Sequence, residues 1–217
     1  MSTSRMVLVP GLITLAVTLL RLTGELNHWS RTFFSSEAGG GMAIIGIWLL
    51  APIFGIYFAK KLSASEQAGS GYRTLGFAAL AIALFVGILF TVPAIMGLDP
   101  SQPTIAVFAI MIVASLIALA IAYYGSGALG RVLLAYGLAA RIPVMLVMLV
   151  AILGNWGTHY DVLPPGAPEM GAWTKWFVIG VVPQLTLWIA FTVAVGALFG
   201  GLALVIAERR HAAVRPA

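Results

Sequence analysis

Three groups of residues in this 217-residue chain could do chemistry. Glu25 and His28 stand three apart. On a helix that spacing puts a carboxylate and an imidazole on one face, as in metal-binding bundles. Arg21, four residues before Glu25, can pair with it along the same helix. His159 and Asp161 lie in a second polar stretch, NWGTHYDVLPPGAPEMG. If both stretches share one end of the molecule, Glu25, His28, His159 and Asp161 could form a nitrogen and oxygen metal site or an acid–base pair. The patterns are short, and polar residues at helix ends also serve simply to solvate loops.

Arg141, in LAARIPVMLV, forms the third group. It follows Arg131 by ten residues of mostly apolar sequence, about 15 Å along a helix. Inserting a central arginine into a bilayer costs about 2.5–3.5 kcal/mol, so something must offset it. Gln184 could reach a similar depth if the last apolar run is one continuous helix. One reading is an arginine that binds an anion. The other is a structural arginine bonded to carbonyls, among them that of Ala139, whose usual donor Pro143 removes.

Several other chemistries have no carrier. There is no cysteine, hence no disulfide, thiolate metal site or cysteine nucleophile. No histidine falls within an apolar run to ligate haem. No lysine lies there to form a Schiff base. GSGALGR, residues 125–131, has the glycine spacing of a dinucleotide loop, but apolar helices rather than a βαβ unit flank it. No cofactor is expected. The net charge of +5 is spread over the ends of apolar runs rather than gathered in a patch, so no nucleic-acid partner is expected.

The elements that must position these residues are membrane helices. The chain is 61% hydrophobic and 9% charged, against about 25% charged in soluble domains. Six apolar runs stand out, at about 6–22, 42–59, 74–96, 104–123, 132–154 and 176–207. Most match the roughly 20 helical residues that cross a bilayer. The pattern predicts an all-α polytopic membrane bundle forming a single domain over 1–217. The last run is too long for an upright span and is expected to tilt or to break at Pro183. Gly196 and Gly200 allow close helix contact, expected within the chain rather than between copies.

Cytoplasmic loops favour Lys and Arg. With the N-terminus inside, the cytoplasmic segments hold Arg5, Lys60, Lys61, Arg73, Arg131, Arg209, Arg210 and Arg215. Arg21, Arg31 and Lys175 remain opposite. Trp29, Trp156, Trp173 and Trp176 then fall at the outer interface, and Tyr57, Tyr72, Tyr123 and Tyr124 at the inner one. Both termini are expected in the cytoplasm, and the location is a plasma (inner) membrane. The partners expected are the lipid bilayer, a small anionic solute and other membrane proteins.

Three functions fit. The first is a small-solute transporter or solute-binding membrane component with a site at Arg141, Gln184, Arg21 and Glu25. The second is a non-catalytic scaffold subunit of a membrane complex. The third is a membrane enzyme working at the outer face through Glu25, His28, His159 and Asp161.

Overall fold

A computed structural model describes residues 2–41 and 43–214. Arg215, and Met42 at the expected start of the second span, lie outside the described residues. Helices account for nearly all regular structure: α1 (Thr3–Leu26), α2 (Leu50–Ala64), α3 (Gly71–Ile95), α4 (Ile105–Ser126) and α5 (Ala128–Gly154). Two short helices follow, α6 (Ala172–Lys175) and α7 (Val182–Leu185), and then α8 (Leu187–Val214). Among the described residues, six stretches are long and apolar enough to cross a membrane: Thr3–Leu26, Ile47–Ala64, Gly71–Ile95, Ile105–Ser126, Ala128–Gly154 and Ala172–Arg210. The chain is thus all-helical and compatible with a multi-pass membrane protein.

The second span departs from expectation. It runs from Ile47 to Ala64, displaced toward the C-terminus from 42–59. The cause is the glycine run before it. Gly40 has φ +89°, and a Cβ there would stand 2.6 Å from Nη2 of Arg21. The chain therefore turns over Arg21 instead of starting a helix. Ile44 and Ile45 then donate backbone hydrogen bonds to the carbonyls of Thr32 and Phe33, so these apolar residues belong to a folded loop.

The last span is interrupted. A π-helical segment, Trp176–Val181, separates α6 from α7. Thr186, with φ −109° and ψ −78°, breaks the chain before α8, three residues beyond the expected break at Pro183. Proline lacks the donor for a regular helical bond, and π segments locally widen a helix.

Helix α8 is the centre of the bundle and packs against α2, α3, α4 and α5. At its crossing with α2, a Cβ added to Gly55 would lie 2.2 Å from the carbonyl oxygen of Gly196. Gly196 and Gly200 therefore serve packing inside the chain. Nearby, Tyr136 of α5 packs edge-on to Phe54, with ring centroids 5.1 Å apart. Its hydroxyl lies 2.8 Å from that of Thr14 on α1. The outer faces are apolar: Ile105 is 90% exposed and Ile95 84%. Such surfaces call for a covering of lipid or partner protein.

The two ends differ. At one, Glu208 accepts a 2.6 Å hydrogen bond from the backbone of Gly71, and Arg209 donates to the Tyr72 hydroxyl. At the other, the C-terminal end of α1 meets the 155–171 loop. Trp29, Trp156 and Trp173 are exposed at that end. Trp176 is half-buried instead, its indole donating to the Met145 carbonyl at 2.9 Å.

Candidate functional site

From the end where α1 finishes, an unsealed cavity of about 870 Å³ reaches inward to Arg141. It is walled by α1, the 39–48 loop, the start of α4, α5, the 155–171 loop and the broken last span. The wall is mostly apolar. Arg21, Arg141, His159, Tyr160 and Gln184 are its main polar members.

Arg141 is the midpoint of α5, thirteen residues from both Ala128 and Gly154, about 20 Å from each end. It is only 4% exposed. Its guanidinium lies 4.8 Å over the Trp188 ring, a cation–π contact. Nη1 points at Oε1 of Gln184, 3.5 Å away, the long limit of a hydrogen bond. Nε is buried and meets no acceptor. Among the described residues Arg141 joins no ion pair. Arg141 and Gln184 come together, although the last span is not the continuous helix on which their expected similar depth depends. Hydrogen bonds from Arg141 to carbonyls, the structural alternative, do not form among the described residues.

Arg21 is held differently. Its Nε donates to Oε1 of Glu25 at 2.9 Å. Its Nη2 donates to the carbonyls of Ser35 and Gly40 at 3.2 and 2.8 Å. The other oxygen of Glu25 accepts the backbone N–H of His159 at 2.9 Å. The His159 ring lies against the same carboxylate, with Nδ1 2.5 Å from Oε1. Tyr160 donates to the Thr18 carbonyl at 3.2 Å. Together these contacts fasten the 155–171 loop onto α1, an interaction between residues 134 positions apart. Burial holds the His159 imidazole below its ordinary range, opposed by Glu25, which favours protonation. The ring is therefore neutral near pH 7. Burial likewise pushes the Tyr160 phenol upward.

The four residues considered for a metal are not gathered. Helix α1 ends at Leu26, and His28 follows on left-handed backbone with φ 50°. The helical face that would align His28 with Glu25 is lost, and His28 is exposed. Asp161 is occupied within its own loop. It accepts from the backbone and hydroxyl of Thr158, both at 2.7 Å, and from the backbone of Gly157 at 2.9 Å. Among the described residues no three His, Asp or Glu side chains could hold one metal ion. Only Glu25 and His159 come together.

Trp188 and Tyr160 are the members that residue patterns did not single out. Trp188 follows Gln184 by four, the spacing of one helical face. Tyr160 directly follows His159 and closes the wall between Arg21 and Arg141; the charges of both act on its hydroxyl.

No family model, curated protein or solved structure matches the chain. Among the described residues the fold and its cavity define a class on their own: a helical bundle with six membrane-length spans and an unsealed cavity, lined mainly by α1, α4, α5 and the last span, that carries a buried arginine.

Proposed function

We propose that the chain binds a small organic anion at Arg141, as a transporter or the solute-binding component of one. It lies in a plasma (inner) membrane with both termini in the cytoplasm. The observation that carries this reading is the buried Arg141, on the wall of a cavity of about 870 Å³, with no ion pair and an Nε that meets no acceptor. A buried cation without an ion-pair partner is costly, and an anion brought by a ligand offsets that cost. Pockets of about 300–1,000 Å³ suit small-molecule ligands. The interrupted last span beside the cavity adds support, because discontinuous helices line solute sites in transporters.

The test is thermal unfolding of the purified protein with a panel of organic anions. An anion at a hundred times its Kd stabilises by about 2.7 kcal/mol. Wild type should shift upward with at least one anion. Arg141→Gln should lose the shift because the charge is gone. Arg141→Lys should lose most of it, because lysine lacks the planar fork.

A scaffold subunit is the second reading, favoured by the open apolar faces of α3 and α4. Absence of any anion-dependent shift, together with an Arg141→Leu variant more stable than wild type, would establish it instead.

The orientation rests on the excess of Lys and Arg at the end holding both termini and on the tryptophans at the other. The chain has no cysteine, so single labels are clean. Glu169→Cys, at an exposed loop position, should react with a membrane-impermeant maleimide in intact cells. Gln67→Cys, exposed between α2 and α3, should react only after permeabilisation. The reverse pattern would invert the topology.

A further inference from the structure

The charges that face the cavity can be counted. Arg21 is neutralised by Glu25 at 2.9 Å. His159 and Tyr160, the other titratable groups on the wall, are neutral at pH 7 for the reasons of burial given above. On the wall itself Arg141 alone contributes a charge that no ion pair compensates. The carboxylate of Asp161, behind the wall, is occupied by Thr158 and Gly157. The wall therefore presents one unpaired positive charge. A ligand with one negative charge brings it to neutrality, whereas one with two would leave an excess negative charge there.

The guanidinium also has a direction. One face is taken by Trp188 and Nη1 by Gln184. Nη2 makes no hydrogen bond among the described residues and is not closed off, while Nε beside it is closed off without a partner. A guanidinium donates charge-assisted hydrogen bonds to a carboxylate.

Volume and lining narrow the rest of the ligand. At about 30 Å³ per water, the cavity has room for on the order of thirty water-sized groups. A bare small anion would fill little of it. The remaining wall would stay wet, although Phe108, Met111, Val144, Met148, Leu187 and Phe191 line it. Covering such side chains with an apolar body contributes about 25 cal/mol per Å².

We propose that the ligand is an amphiphilic monoanion: one carboxylate on the guanidinium of Arg141 and an extended apolar body along the rest of the cavity. This inference rests on the anion-binding reading above and names its substrate class.

Decanoate is a suitable probe. Binding of labelled decanoate is measured to the full chain in nanodiscs of zwitterionic lipid, with empty nanodiscs subtracted. Competitors are the methyl ester, which lacks the charge, acetate, which lacks the body, and decanedioate, which carries a second charge. Decanoate should saturate at one per chain. Each competitor should be at least about tenfold weaker, the ester because an Arg–carboxylate pair is lost. Arg141→Gln should weaken decanoate at least about thirtyfold. The competition series on wild type stands even if that variant fails to fold.

Decanedioate binding as tightly as decanoate would overturn the charge count. Equal binding of acetate would overturn the apolar body while leaving an anion site at Arg141. Equal binding of the ester would overturn the role of the carboxylate. If no anion binds, and none shifts the thermal midpoint, the anion-binding reading itself falls.

Discussion

Replacing Glu25 with leucine is expected to cost about 3–5 kcal/mol of stability, the range seen when one partner of a buried ion pair is removed. Glu25 is 2% exposed and holds three groups at once. These are Nε of Arg21, the backbone N–H of His159 and the His159 ring. Without it, Arg21 keeps its charge in a buried place with only two carbonyls as partners. The 155–171 loop also loses its clasp on α1. The double variant Arg21→Met with Glu25→Leu should recover a large part of the loss, because an apolar pair of similar bulk needs no compensation. Unfolding midpoints in mixed micelles measure both. A Glu25→Leu variant within about 1 kcal/mol of wild type would mean that the pair does not secure the loop.

The second large effect is steric. Gly55→Leu is expected to destabilise by about 1–3 kcal/mol or more, as overpacking of a close contact does. The new Cβ would stand 2.2 Å from the Gly196 carbonyl oxygen and 2.7 Å from its Cα. These are backbone atoms that cannot rotate away, so α2 and α8 must separate. Gly76→Leu is the control. Gly76 sits on exposed α3 surface with nothing within 4 Å of a new Cβ, and glycine is a poor helix former. That variant should match or exceed wild-type stability. Equal losses in the two variants would mean that helix propensity, not the crossing, governs position 55.

What the residue pattern disclosed follows the strength of the local signal. Five spans were legible to within a few residues, because long apolar runs have few alternatives in a bilayer. The start of the second span was not, since Ile44, Ile45 and Ile47 are as apolar as a helix needs. Only the turn of Gly40 over Arg21 removes the first two from it, and that contact bridges residues far apart in the chain. A similar depth for Gln184 and Arg141 could be read only on the condition of a continuous last span, yet the two side chains meet with the span broken just beyond Gln184. The metal constellation failed for a local reason, the end of α1 at Leu26, which moved His28 off the face of Glu25. The clasp of Glu25 on the His159 backbone left no mark in composition, because any residue could supply that N–H. Trp188 had a readable spacing from Gln184, but an aromatic residue in a membrane span has many ordinary uses.

The central position of α8 also bears on how the protein is made. Every helix it packs against is synthesised before it. Gly55 leaves the ribosome 141 residues ahead of Gly196, on the order of ten seconds at roughly 5–20 residues per second. Through that interval α2 and α3 are threaded but lack their common neighbour. The face that bears Gly55 and the α3 start that Glu208 later caps are turned to lipid or to the insertion machinery. The contact between α3 and α4 can form in that interval, but the contacts of α2, α3, α4 and α5 with α8 must wait until most of the chain is translated.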